Sequence, residues 1–274
     1  MRTVSTVGRR AGSAAIWRAR SLALVLVCAI SIGCSTTSVG LRTLSVAAAS
    51  DLQFAFEELS TAFSASRPGV AVVPTFGASG TLTAQIASGA PFDVFFSADR
   101  AYPERLVADG HADGASLVNY AIGHIVVWVP TSSPLDVAQL GERTLIDPGV
   151  RTVAIANPDH APYGRAAVAA IESLGIADEV RPKLVFGENV AQAAQFAQAG
   201  AADVAVIARS LAMSPRMATS GRWWEVPSDR HPKLEQAAVV TSDAREPAVA
   251  RDFIAFVTSD EGRAILERHG LGAP

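Results

Sequence analysis

Four stretches of the sequence place small or hydroxyl-bearing residues where an apolar run gives way to a helix-period pattern. They are Ser50-Asp51-Leu52, Gly77-Ala78-Ser79-Gly80, the run NPDHAPYG at 157–164, and Gly187-Glu188-Asn189. A helix N-terminus presents backbone N–H groups without intrahelical partners and about half a positive charge, so several brought together hold an anion without any Lys or Arg. Ser50, Ser79 and Tyr163 add hydroxyl donors, and the glycines at 77, 80, 164 and 187 let a backbone come close to a ligand. Taken singly, each turn is explained by capping and turn geometry; only their joint occurrence points to a site. One helix dipole is worth about 1 kcal/mol, so several must converge before an oxyanion is held well. A wall of donors suits a fully ionised tetrahedral dianion, whereas half-protonated phosphate needs an acceptor for its own proton. Asp51 and Glu188 lie near two of the turns and soften that exclusion, and the donor set alone does not separate sulfate from larger dianions.

The elements that must position these turns read as an α/β protein with mixed or parallel sheets, because short β-branched or apolar runs alternate with helix-period stretches from Leu44 onward. The pattern predicts strands over 43–49, 70–76, 93–98, 124–130, 152–156, 183–186, 203–208, 222–226 and 235–241. The clearest helix carries Leu52, Phe56, Leu59 and Phe63 on one face and closes at Arg67-Pro68-Gly69. Ser50 with Gln53 three residues later predicts a capping box at its start, the Ser50 hydroxyl accepting from a first-turn N–H. In α/β folds ligands favour the carboxyl ends of strands, where such turns gather.

Composition sets the class. The 274 residues are 49% hydrophobic and 18% charged, which excludes disorder and coiled coil and allows one large core or two moderate ones. Five arginines and no acid fall within residues 1–33, so the net charge of −3 becomes −8 for the remainder. So acidic a body is poorly suited to nucleic acid or an anionic membrane surface. The basic residues 1–20, the apolar run 21–32 and the small residues after it predict a signal peptide over 1–33. That apolar run is shorter than the ~20 residues that span a bilayer. Both cysteines, Cys28 and Cys34, lie in or at the edge of this segment, leaving the body without a disulfide or a thiolate metal site. Gly33-Cys34 resembles the end of a lipobox despite Ser31 in the usual Leu place, which makes Cys34 the expected acylation site and 34–41 a tether.

Enzyme chemistry finds little support. Gly77-Ala78-Ser79-Gly80 is not G-x-S-x-G, since Thr81 stands where the last glycine belongs. The five histidines are scattered without metal-ligand spacing, and His160 alone lies near the proposed turns, where it reads as a surface or supporting residue. No free metal cation site is expected. The same loop lacks the third glycine and the following acid of a dinucleotide fingerprint, so no cofactor is expected either. Trp223-Trp224 reads as core packing rather than as a docking patch.

Five motifs carry a family resemblance: LSVAAASDL at 44–52, TFGASGTLTAQI at 75–86, GAPFDVFFSAD at 89–99, NPDHAPYGRAA at 157–167 and GENVAQA at 187–193, followed by FIAFVTSDEGRAILERHGL at 253–271. In this order they resemble the periplasmic molybdate-binding proteins that feed ABC importers. The resemblance implies a two-lobed periplasmic binding protein fold, each lobe a mixed β-sheet flanked by helices, with the ligand in the interlobe cleft. Lobe one would be 42–121 plus 233–274 and lobe two 122–232. It further implies an oxyanion, molybdate or tungstate, held by Ser50 and Ser79 from lobe one and by Tyr163 and the backbone N–H of Val190 from lobe two. Ile207 stands where some relatives place a ligand-contacting Tyr, so this chain fits the arrangement with Tyr at 163 instead. The implied partner is the membrane permease of an ABC importer, and the implied state is a monomer outside the cytoplasmic membrane, attached to it only through the lipid on Cys34. A sulfate or other oxyanion carrier, and more distantly a small periplasmic hydrolase, are the competing expectations.

Overall fold

The computed structural model describes residues 42–274; the expected signal peptide, tether and Cys34 lie outside them. In chain order the first elements are β1 (Arg42–Ala49), α1 (Gln53–Ser66), β2 (Val70–Gly77), α2 (Ser79–Ala87), β3 (Val94–Ser97), α3 (Ala101–Ala108), β4 (Val118–Gly123) and β5 (Ile125–Pro130). There follow α4 (Val137–Leu140), β6 (Val153–Ala156), α5 (Pro162–Ser173), α6 (Ala177–Val180), β7 (Leu184–Gly187), α7 (Val190–Gln198) and β8 (Val204–Ala208). The chain ends with α8 (Arg209–Ala212), α9 (Pro215–Ser220), β9 (Gly221–Glu225), β10 (Leu234–Val240), α10 (Pro247–Val257) and α11 (Asp260–Arg268).

Two five-stranded sheets result, ordered β2-β1-β3-β10-β4 and β7-β6-β8-β5-β9. Each is mixed: β1 runs parallel to β2 and β3 while β10 is antiparallel to β3 and β4, and β6 runs parallel to β7 and β8 while β5 is antiparallel to β8 and β9. The chain passes from the first sheet to the second at His124, between β4 and β5, and returns between β9 and β10.

Strand alternation explains the two-sided burial of the first sheet. Leu44, Val46 and Ala48 of β1 pack with Phe56, Phe63 and Phe253 on the side of α1 and α10, while Ala47 joins Leu82, Ile86 and Leu106 on the side of α2 and α3. Phe56, Phe96 and Phe253 meet edge to face at centroid distances of 5.2–5.8 Å, the arrangement favoured by ring quadrupoles. The second sheet is covered around β5, β6 and β8, whose Val126–Val129, Val153–Ala156 and Val204–Ala208 are all buried. Ile207 belongs to that core, and Trp223 and Trp224 pack against it, as core residues should.

Two local expectations are corrected. Strand β4 has no counterpart in the predicted set, because Asn119, the glycine at 123 and His124 interrupt the apolar run; β4 and β5 are separated by one residue yet belong to different sheets. The capping box does not form. Ser50–Leu52 is a single 3₁₀ turn, α1 begins at Gln53, two residues later than a Ser50 cap requires, and the Ser50 side chain makes no capping bond.

Candidate functional site

Strand register brings the four turns together in two pairs. Ala49 at the end of β1 lies opposite Gly77 at the end of β2, so the Ser50 and Ser79 turns emerge side by side. Ala156 at the end of β6 lies opposite Gly187 at the end of β7, which sets the turns before α5 and α7 side by side in the second sheet. All four line one small cavity: Ser50, Asp51, Ser79, Tyr163 and Val190 are in its wall, and no Lys or Arg is.

What each residue offers follows from its bonds. Ser79 is buried, and its Oγ accepts from the Ala98 N–H at 3.0 Å, which leaves the hydroxyl proton to donate. Ser50 is buried beside it, and its hydroxyl has no protein partner among the described residues. At the start of α7 the Asn189 side chain accepts from the Ala191 and Gln192 N–H groups at 3.0 and 3.1 Å, so the Val190 N–H is the donor of that turn left over. Pro162 opens α5, and the Tyr163 N–H next to it has no backbone acceptor.

The Tyr163 hydroxyl, expected as an anion donor, is already engaged: it donates to Asp51 Oδ2 at 2.9 Å. Gln236 Nε2 of β10 donates to the same oxygen at 2.7 Å and to the Tyr163 hydroxyl at 3.0 Å, closing a buried triangle across the two sheets. Burial pushes the Asp51 carboxyl up to about 6 against the pull of these two bonds. It also raises the Tyr163 hydroxyl far above its usual range, with the Asp51 charge adding to the effect. Sequence reasoning missed Gln236, whose only signal was an amide beside Glu235 at the start of an apolar strand.

A second set of contacts joins the two sheets at the rim. Gly80 N–H donates to the His160 carbonyl at 2.9 Å, and a Cβ at position 80 would stand 2.7 Å from that oxygen, so glycine is needed there for the close approach. Arg165 of α5 reaches Asp99 Oδ2 at 2.6 Å and the Tyr102 hydroxyl at 2.8 Å, its guanidinium 5.3 Å from the Tyr102 ring centre. His160 itself does not line the cavity; its ring nitrogen lies 3.0 Å from the Glu188 carbonyl oxygen. Glu188 is largely exposed and supplies no acceptor to the wall. Among the described residues, no group of three or more His, Cys, Asp or Glu side chains could hold a metal ion, and no helix is long and apolar enough to cross a membrane.

Comparison with known proteins places these features in context. A family model described as bacterial extracellular solute-binding protein matches residues 44–272. The chain is 36% identical over 204 residues to the molybdate-binding protein ModA of Rhodobacter capsulatus, covering 74% of this chain and 78% of that protein. It is 30% identical to ModA of Azotobacter vinelandii, covering 90% and 96%. The solved periplasmic molybdate-binding protein of Azotobacter vinelandii superposes with a TM-score of 0.78 at 33% identity, over 84% of this chain and 99% of that one.

Proposed function

The chain belongs to the bacterial extracellular solute-binding proteins, and from that premise we propose that it captures molybdate, and tungstate with it, outside the cytoplasmic membrane and delivers the anion to the permease of an ABC importer. It binds and performs no reaction, as a solute-binding protein does. The observation that carries the reading is the convergence of four strand-to-helix turns on one cavity without Lys or Arg. Its relatives in Rhodobacter capsulatus and Azotobacter vinelandii, named as molybdate-binding, support the choice of anion.

In this reading the Ser50 and Ser79 hydroxyls donate from the first sheet, and the N–H groups of Tyr163 and Val190 donate from the second. Tyr163 acts through its backbone, since its hydroxyl serves Asp51. Neutral donors fixed by strand register stabilise a dianion without a counter-ion, because the dipoles are already oriented when the anion arrives. Binding needs donors from both sheets, so the anion favours the arrangement that brings them together, and that arrangement is what a permease would recognise. The lobes, expected to divide at 121/122 and 232/233, meet instead at His124, because Ile122 and Gly123 belong to β4 of the first sheet, and again between β9 and β10; the protein works as a monomer tethered by a lipid on Cys34, and needs no cofactor.

Calorimetric titration with molybdate, tungstate, sulfate and phosphate tests the proposal. Molybdate and tungstate should bind one to one and tightly, sulfate far more weakly and phosphate not at all; a preference for sulfate would overturn it. Ser79→Ala removes one donor from a desolvated anion and should cost about 1.5–3 kcal/mol, roughly ten- to a hundredfold in Kd. Unchanged affinity would remove Ser79 from the site.

A further inference from the structure

The cavity wall holds one carboxyl side chain, and its bonding is lopsided. Asp51 Oδ2 accepts from both Tyr163 and Gln236, while Oδ1, equally buried, has no partner. The Gln236 carboxamide is lopsided in the same sense: Nε2 donates twice and Oε1 is buried without a partner. Turning the amide over does not help, since its oxygen would then face the carboxylate. Two buried acceptors left over from one carboxyl and one carboxamide lack a single donor between them, and a proton on Oδ1 supplies it. The result is a neutral carboxylic acid–carboxamide pair, with Oδ2 still accepting both of its present bonds.

We infer that Asp51 is the proton-carrying residue of the anion site: the dianion binds together with one proton, which resides on Asp51 Oδ1 and pairs it with Gln236 Oε1. The inference rests on the oxyanion reading above, and the surroundings favour it. Facing Asp51 are Tyr163 from α5, Gln236 from β10 and Tyr120 from β4, while Ser210 of α8 donates to the Asp51 carbonyl at 2.8 Å. Arg209 of α8 is held by Glu225 and the Gly270 carbonyl, and Arg165 of α5 by Asp99 and Tyr102. The charged residues of α1, Glu57 and Glu58, lie at the surface with Glu58 paired to Arg268 and His269, Glu235 of β10 pairs with Lys233, and α7 carries no charged side chain. No cation therefore offsets the repulsion between an ionised Asp51 and a dianion in the same cavity, and burial alone already raises the carboxyl to about 6. Protonation relieves the repulsion and fills both empty acceptors.

The sign of the linkage is fixed. Binding raises the affinity of Asp51 for its proton, so protons are taken up and anion affinity falls as pH rises above about 6. Molybdate titrations of the whole protein at about pH 7.5, in buffers of different ionisation enthalpy, should show between about half and one proton taken up per anion. Kd should rise by up to about tenfold per pH unit from about pH 6.5 to about pH 8.5. Asp51→Asn should bind without proton uptake and with a flat pH profile. In the unaltered protein, infrared difference spectra with ¹³C-labelled aspartate should show a protonated carboxyl C=O band appearing on molybdate addition, a readout that needs no variant to fold. Molybdate binding without proton uptake, or uptake that persists in Asp51→Asn, overturns the inference and leaves the oxyanion reading standing. Absence of molybdate binding overturns the reading and the inference with it.

Discussion

Asp51 shows how one residue can serve function at the expense of stability. Its carboxyl titrates at about 6 in the fold against 3.8 in an unfolded chain, so the folded state holds the proton more tightly than the unfolded one. Stability is then highest below pH 4 as far as this group is concerned, and is lost as pH rises through about 6. The full difference amounts to about 2–3 kcal/mol. Asp51→Asn should therefore be more stable than the parent by about 1–3 kcal/mol at pH 8, with the gap closing towards pH 4, as read from urea unfolding at both pH values. An equal gap at both would show that packing rather than charge governs the site. Ser50 and Ser79 illustrate the opposite economy. A serine at a strand-to-helix turn is an ordinary sequence signal for a cap, but Ser50 caps nothing, and Ser79 accepts a bond from a neighbouring strand's end while keeping its proton. The residue types were legible; the direction in which each hydroxyl is spent was not.

At the scale of elements, the register of parallel strands does the positioning. Matching Ala49 with Gly77 and Ala156 with Gly187 aligns strand ends, and the donors that follow are fixed to rigid elements rather than to mobile loops. The rim contacts then hold the two sheets' turns against each other. Gly80→Ala would force its Cβ against the His160 carbonyl and the Tyr102 hydroxyl, at 2.7 and 2.8 Å. It should weaken molybdate binding by roughly tenfold or more while the anion-free melting temperature changes little, because misplacing a donor by about 1 Å is costly in a preorganised site. Arg165→Ala removes an ion pair, a hydrogen bond and a stacking contact without touching the cavity wall. Exposed ion pairs and cation–π contacts are each worth about 0.5–1 kcal/mol, so stopped-flow release of the anion should accelerate by roughly two- to tenfold, with little change in the association rate. A change confined to association would exclude a latch. The periodicity that predicts α1 also predicts its Phe56 and Phe63 core face, whereas β4 escaped because an edge strand with Asn119 in it carries no clear alternation.

For the whole molecule, an anion held between two sheets should stabilise both at once. At a hundredfold excess over Kd, a ligand that binds only the folded protein adds about 2.7 kcal/mol. In a chain of this length that corresponds to a rise of roughly 5–10 °C in melting temperature. Molybdate should produce this shift and phosphate should not, by calorimetry or by near-UV circular dichroism. The acidic body, with its net charge of −8 outside residues 1–33, would slow the approach of an anion, and high salt should speed it by screening that repulsion.

Composition, apolar periodicity and the four recurring turns were properties of local sequence, and they determined the α/β class, most of the elements and the strand-to-helix turns that carry Ser50 and Ser79. They could do so because helix starts, strand alternation and turn chemistry are decided within a few residues of one another. The Asp51–Tyr163–Gln236 triangle spans 185 residues of chain, and the Arg165 contacts with Asp99 and Tyr102 span 66 and 63. Those pairings were decided only when the two sheets packed together, because burial and the choice among competing hydrogen-bond partners depend on neighbours that no local pattern supplies.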